Sequence, residues 1–147
     1  MFSRIVVGTD GSDTAAEAVR QAIDLAKLAG AQLSIVSAYE PVPKRQVEQE
    51  QHEAPADVHY ELGPRENVNL VLDAAAAVAR KEGVEAQTHP AEADPADAIL
   101  DVAEETKADL IVVGNKGMTG ARRFLLGSVP NKVSHHAPCS VIIVRTT

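Results

Sequence analysis

The chain has 147 residues and a hydrophobic fraction of 45%, which fits one domain, residues 1–147, with a buried core and excludes wholesale disorder. Its 14 basic residues against 21 acidic ones leave a formal charge of −7, which argues against a surface for nucleic acid or for anionic membranes. The single cysteine excludes an internal disulfide and a cysteine-based zinc cluster.

The apolar runs of the chain are short, whereas a membrane helix needs roughly 20 apolar residues. A strand-like run begins at Ile5, and we expect no signal peptide before it. We therefore expect a cytoplasmic protein with no membrane partner.

Patterns typical of strands and helices alternate along the chain. Strand patterns cover residues 5–7, 32–39, 85–89, 110–113 and 141–144, and helix patterns lie between them, the last over residues 128–136. Such alternation predicts an α/β fold, with a parallel sheet and helices on both faces. We predict a five-stranded, Rossmann-like sheet in the order 3-2-1-4-5.

The start of the first helix carries competing signals. Thr14 and Glu17 match a capping box, while Ser12 and Asp13 are alternative caps. Gly30 suits the end of this helix, because glycine adopts the left-handed backbone conformation at little cost.

Residues 40–61 interrupt the alternation with a stretch rich in proline, glutamine and glutamate. A connection this long is typical of a lid, a partner-binding excursion or a disordered loop. We interpret it as a solvated loop and assign no chemistry to it.

Polar turns follow the first and fourth predicted strands. The first strand ends in Gly8-Thr9-Asp10-Gly11, and the fourth ends in Gly114-Asn115-Lys116-Gly117. In an open α/β sheet, ligands bind outside the carboxyl ends of the strands, where the strand order reverses. The predicted order makes these two strands neighbours, so both turns are expected to face one crevice.

The segment after the fourth strand has the features of an anion site. Its glycines let a ligand approach the backbone, and Ser128 stands at the start of a helix whose first N–H groups lack internal partners. Lys116, Arg122, Arg123 and Lys132 would place positive charge nearby. The alternative is that the glycines only form turns and that Ser128 only caps its helix.

These motifs resemble those of the universal stress protein family, and the resemblance covers nearly the whole chain. It is carried by Val7-Gly8-Thr9-Asp10-Gly11-Ser12, Val113-Gly114-Asn115-Lys116-Gly117 and Leu126-Gly127-Ser128-Val129. The gaps between Gly114, Gly117, Gly127 and Ser128 match G-x2-G-x9-G-S, the nucleotide signature found in the ATP-binding branch of that family.

The resemblance implies an adenine nucleotide (ATP, ADP, AMP or cyclic AMP) in the crevice, with Mg²⁺ accompanying a triphosphate. The residues it implies are Gly8, Thr9 and Asp10 for adenine and ribose, Ala38 for the adenine edge, Val113 and Gly114 for the ribose, and Lys116, Gly117, Gly127, Ser128 and Val129 for the phosphates. Pro130 departs from the family pattern, in which a hydroxyl residue is common. This departure favours a nucleotide with fewer phosphates, or cyclic AMP as in some relatives.

Three other features have simpler interpretations. Cys139, beside Pro138, is expected to be a small packed residue rather than a nucleophile. His135 and His136 suit the last turn of a helix through its dipole, and adjacent positions point in different directions, which argues against a metal site. Asp10 has an alternative interpretation as a turn residue, because Asp-Gly is a common turn pair.

The sequence is best interpreted as a nucleotide-binding regulator of stress adaptation, a sensor rather than an enzyme. A slow ATPase is an alternative, although no base or pair of metal-binding carboxylates is evident. A phosphorylated signalling receiver is another, but it needs an aspartate at the end of the third strand, where His89 and Pro90 stand. A third is a partner-binding protein with an empty crevice.

The last strand has the character of an exposed sheet edge. Val141, Ile142, Ile143 and Val144 are all apolar, and the first charge after them is Arg145. Such an edge invites aggregation unless it is paired or covered. We therefore predict a homodimer through this strand, as the resemblance also implies, together with a protein partner of unknown identity.

Overall fold

The computed structural model describes residues 1–40, 63–115 and 126–146. The strands are β1 Arg4–Gly8, β2 Gln32–Tyr39, β3 Ala86–Glu92, β4 Leu110–Gly114 and β5 Ser140–Val144. The helices are α1 Asp13–Ala29, α2 Pro64–Lys81, α3 Pro95–Thr106 and α4 Ser128–His136. The strands form one parallel sheet in the order β3-β2-β1-β4-β5, which confirms the predicted fold class and strand order.

Helices cover both faces of the sheet, because successive apolar side chains of each strand point to opposite sides. Ile5 and Val7 of β1 belong to the core beneath α1 and α2, whereas Val6 belongs to the core beneath α3 and α4. All three are buried, as expected of a central parallel strand.

The cap of α1 is Ser12. Its Oγ accepts the Ala15 amide at 3.2 Å, and its backbone is extended (φ −72°, ψ 162°), whereas Thr14 already lies within the helix. Glu17 accepts a hydrogen bond from Arg20 Nε at 3.0 Å instead of reaching back to the cap. The predicted Thr14–Glu17 capping box is therefore wrong, and the alternative cap Ser12 is confirmed.

Residues in the left-handed conformation end two of the helices. Gly30 follows α1 with φ 65°, as predicted. Lys107 follows α3 with φ 55°, which is unusual for a residue that carries a Cβ.

The third strand is longer than predicted. β3 continues past residue 89, and its register joins Pro90 to Ser37 and Glu92 to Tyr39 of β2. A proline is tolerated here because β3 lies at the edge of the sheet. Since β2 separates β3 from β1, a carboxylate at the end of β3 is not beside the turn after β1, which further disfavours a receiver site.

The opposite edge of the sheet is β5. Within the described ranges it pairs with β4 alone, so its predicted edge position is confirmed. Val144 is buried, whereas Ile143 is 38% exposed.

The predicted loop at residues 40–61 lies outside the described residues except for Glu40. The elements on either side of it are joined, because the Arg65 guanidinium donates to the Tyr39 hydroxyl at 3.0 Å. No helix within the described ranges is long and apolar enough to cross a membrane.

Candidate functional site

A cleft of about 280 Å³ lies at the carboxyl ends of β1 and β4. The pairing of these strands ends at Val7 and Val112, so the residues that follow part and leave space between them. This is the point where the strand order reverses, since β2 lies on one side of β1 and β4 on the other. The described residues that line it are Gly8, Thr9, Asp10, Ala15, Val36, Ala38, Pro95, Ile99, Val113, Gly114, Ser128, Val129 and Pro130.

Most of the residues singled out from the sequence meet at this cleft. Those in its lining are Gly8, Thr9, Asp10, Ala38, Val113, Gly114, Ser128 and Val129. Gly127 is outside the lining, and Lys116 and Gly117 lie outside the described residues.

Four apolar lining residues were not anticipated: Ala15, Val36, Pro95 and Ile99. Val36 could have been found from Ala38, because residues two apart share one face of a strand. Pro95 and Ile99 are four apart on α3 and so share one face of that helix. No motif marks this helix, and its approach to the cleft follows from packing.

The turn after β1 is held by its own side chains. Asp10 Oδ1 accepts the Ser12 amide at 2.8 Å, and Thr9 Oγ1 accepts the Gly11 amide at 3.1 Å. Gly11 has φ 82°, a conformation that favours glycine. The Thr9 amide donates to the Val36 carbonyl at 2.9 Å, which extends the sheet into the turn. Asp10 therefore stabilises the turn and also lines the cleft, so both interpretations of this residue stay open.

Gly127 is the cap of α4, so the interpretation that Ser128 caps this helix is wrong. The backbone of Gly127 is extended (φ −61°, ψ 165°), and its carbonyl accepts the Asn131 amide at 3.1 Å. Its own amide donates to the Asn115 carbonyl at 3.0 Å. The resemblance implied that Gly127 holds phosphate, but its amide already has a partner because α4 begins next to the end of β4.

The first turn of α4 brings backbone donors to the cleft. In the part of the chain that the structure describes, the amides of Ser128 and Val129 bond no backbone carbonyl. Pro130, the third helical residue, has no N–H. An anion at this end of the cleft would meet two amides, the Ser128 hydroxyl and the positive end of the helix dipole.

Of the four basic residues expected near the anion site, the structure describes Lys132. Lys132 of α4 pairs with Asp97 at 2.8 Å and with Asp94 at 3.5 Å, all three being exposed side chains at the start of α3 and α4. The hydrogen bond to Asp97 raises the pKa of Lys132, so this cation is already engaged. Arg122 and Arg123, like Lys116, lie outside the described residues.

Cys139 is half-buried against the core beneath α3 and α4. Burial, together with the negative charge of Asp109, raises the pKa of its thiol, which opposes a nucleophilic role at neutral pH.

His135 and His136 are exposed in the last turn of α4. Among the described residues, no group of three or more His, Cys, Asp or Glu side chains could hold a metal ion.

Comparison with known proteins identifies similar chains along the full length. The model of the Universal stress protein family matches residues 1–145. A universal stress protein of Mycobacterium tuberculosis is 39% identical over 153 residues, which covers 99% of this chain and 98% of that protein.

Two solved structures relate this fold to nucleotides. A universal stress protein in complex with cyclic AMP is 33% identical, with a TM-score of 0.73 and coverage of 99% of both chains. The universal stress protein of Archaeoglobus fulgidus in complex with dAMP is 27% identical, with a TM-score of 0.65 and coverage of 97% of this chain and 98% of that one. Structural neighbours of this chain therefore bind adenine nucleotides.

Proposed function

This chain belongs to the universal stress protein family, and we propose that it is an adenine-nucleotide-binding regulator that acts as a sensor in stress adaptation. The observation that carries the proposal is that the turn at Asp10 and the first turn of α4 at Ser128 line one cleft. The complexes of two relatives with cyclic AMP and dAMP support the choice of ligand.

The lining suggests how the parts of a nucleotide are distributed. The apolar residues Val36, Ala38 and Ile99 suit a base, and the Ala38 backbone is proposed to meet the adenine edge. The ribose is assigned to Asp10, whose carboxylate would accept hydrogen bonds from the ribose hydroxyls. Around the ribose we place Gly8, Thr9, Val113 and Gly114.

The phosphate is assigned to Ser128 and Val129 at the N-terminus of α4, where two amides that bond no described backbone carbonyl, together with the helix dipole, favour an anion. Gly117 and Gly127 belong to the family signature G-x2-G-x9-G-S, and Lys116 lies within its first gap. Contact of these three residues with phosphate is part of the proposal. The Gly127 amide already donates to the Asn115 carbonyl. Contact of Gly127 with phosphate would therefore be a close approach to its Cα.

We further propose that the preferred ligand carries one phosphate, as cyclic AMP or AMP does, rather than three. Pro130 removes one donor from the first turn of α4. The cleft, at about 280 Å³, is slightly smaller than the usual range for ligand sites, about 300–1,000 Å³. For ATP with Mg²⁺, the part of the lining that the structure describes offers one carboxylate, that of Asp10, and one of its oxygens already accepts the Ser12 amide. A Mg²⁺ ion would thus be held mainly by phosphate oxygens.

Isothermal titration with ATP, ADP, AMP and cyclic AMP tests the proposal. We expect binding, with cyclic AMP or AMP tighter than ATP. Ser128→Ala should weaken binding by about two- to tenfold through loss of one hydrogen bond, whereas Ser134→Ala on the exposed side of α4 serves as the matched control. Absence of heat with all four nucleotides would refute nucleotide binding and favour a partner-binding protein with an empty cleft.

Hydrolysis is the alternative activity. Among the described residues that line the cleft, Asp10 is the single carboxylate, and none is a histidine, lysine or cysteine that could act as a base. We therefore expect ATP turnover near zero in a phosphate-release assay. Turnover that Asp10→Asn abolishes would establish a slow ATPase instead.

We also propose a homodimer that pairs the β5 edges of two copies, because Ile143 is exposed and no described strand pairs with the outer side of β5, which makes this edge prone to association. Sedimentation at micromolar concentration should give a dimer, and Ile143→Lys should shift it towards monomer. A monomeric wild-type chain would refute the homodimer.

The cytoplasmic location and the protein partner remain predictions. Cell fractionation tests the location, and cross-linking tests the partner.

A further inference from the structure

Asn115 joins three elements around the cleft. It directly follows Gly114 of β4, and its amide donates to the Val144 carbonyl of β5 at 2.8 Å. Its carbonyl accepts the Gly127 amide at 3.0 Å, and Gly127 is the cap of α4. The backbone of this one residue therefore connects the end of β4, the end of β5 and the start of the helix that lines the cleft.

The side chain of Asn115 is held from outside the cleft. Its Oδ1 accepts two hydrogen bonds from Thr146, one from the amide and one from the hydroxyl, each 2.9 Å long. An amide oxygen has two lone pairs, so this acceptor is fully used. Both bonds are partly shielded from water, and Thr146 is not among the residues that line the cleft.

We propose that Thr146 is a positioning residue for the phosphate end of the cleft. By fixing the Asn115 side chain it fixes the Asn115 carbonyl, and that carbonyl holds the amide of Gly127, the residue directly before the first amides of α4. Donors that bind an anion must be held within about 0.5 Å of the productive geometry. This inference rests on the proposed function, because it assigns a role to a residue that the nucleotide would not touch.

The competing explanation is that Thr146 only fastens the end of the chain to the sheet. In that case its replacement would lower the melting temperature but would not distinguish ligands with a phosphate from ligands without one. The two explanations therefore differ in what happens to the ratio of affinities for AMP and adenosine.

The test compares Thr146→Val, which removes the hydroxyl donor and keeps the backbone bond, with Thr146→Ser, which keeps both. Each variant is titrated with AMP and with adenosine. We expect Thr146→Val to bind AMP about two- to tenfold more weakly, which is the range for one lost hydrogen bond. Its affinity for adenosine should equal that of the wild type. Thr146→Ser should bind both ligands with wild-type affinity. Asn115→Ala, which loses both bonds from Thr146, should show a larger loss for AMP.

A second readout needs no ligand. Hydrogen exchange at the Gly127 amide should be faster in Thr146→Val, while the amides of β1 keep their protection. Unchanged exchange at Gly127, or an equal loss of affinity for AMP and adenosine, would overturn the inference while leaving the proposed function intact. A wild-type chain that binds neither AMP nor cyclic AMP would instead refute the proposed function, and the inference with it.

Discussion

Gly8 and Ile99 are packed so closely that a Cβ on residue 8 would lie 2.5 Å from Ile99 Cδ1 and 2.9 Å from Cγ1. Favourable carbon–carbon contacts are about 3.5–4.0 Å long, so no Cβ fits without movement. Ile99 is 4% exposed and lines the cleft beside Gly8. Glycine at the end of β1 thus allows α3 to pack directly against the sheet at the floor of the cleft.

We expect Gly8→Ala to lower the free energy of unfolding by about 1–3 kcal/mol, because the buried Ile99 side chain must shift to make room. Ile99→Val removes Cδ1, the nearest atom, so the double variant should recover part of that loss. Urea denaturation of the wild type, both single variants and the double variant measures this coupling. Strictly additive effects would contradict the proposed overlap.

Ser12→Ala should lower the free energy of unfolding by about 1 kcal/mol, since it removes the acceptor for the Ala15 amide at the start of α1. Ser12→Asp restores an acceptor and should retain most of the stability. Thr14→Ala is the comparison variant, and it should cost less than Ser12→Ala in the same denaturation experiment. A larger loss for Thr14→Ala would show that the cap is assigned to the wrong hydroxyl.

Asp109 ties the start of β1 to the start of β4. The amides of Ser3 and Arg4 donate to its carboxylate at 2.8 and 3.0 Å, and they hold its pKa below the ordinary value of 3.8. A carboxyl group whose pKa is lower in the folded state stabilises the fold at pH values above the unfolded-state pKa. That contribution is lost as the pH falls through the folded-state pKa.

At pH 7, Asp109→Ala is therefore expected to lower the free energy of unfolding by about 1–2 kcal/mol. The difference from wild type should shrink as the pH is lowered below 3.8, when the wild-type carboxylate becomes protonated. Denaturation curves recorded between pH 7 and 3 measure it, with Asp101→Ala, at an exposed position of α3, as the control. If the difference in the free energy of unfolding between wild type and Asp109→Ala does not change with pH, the ionised carboxylate is not the source of the stabilisation.

Lys107→Gly is expected to raise the free energy of unfolding by about 0.5–1 kcal/mol. Lys107 has φ 55°, where a Cβ is strained and glycine is not. Lys107→Ala keeps the Cβ and removes the charge, so it should leave the stability close to that of wild type. Thermal or urea unfolding of both variants checks this, and a gain for alanine equal to that for glycine would point to charge instead of backbone strain.

The sequence by itself determined the elements whose limits depend on neighbours in the chain. The predicted strand at 32–39 is β2, and the predicted helix at 128–136 is α4. The end of α1 at Gly30 was also predictable, because a glycine that follows a helical pattern is a local signal. The parallel sheet with helices on both faces followed from the alternation of elements. The strand order 3-2-1-4-5 was an assumption that this alternation does not fix, and the structure confirms it.

Only the tertiary structure decided which polar groups at the cleft are already bonded. The Gly127 amide is taken by Asn115, and the Lys132 ammonium by Asp97, because packing brings separate elements within hydrogen-bond distance. β3 likewise runs past its predicted end because β2 offers residues to pair with as far as Tyr39. Such partners are remote in sequence, so no local pattern encodes the distance between them.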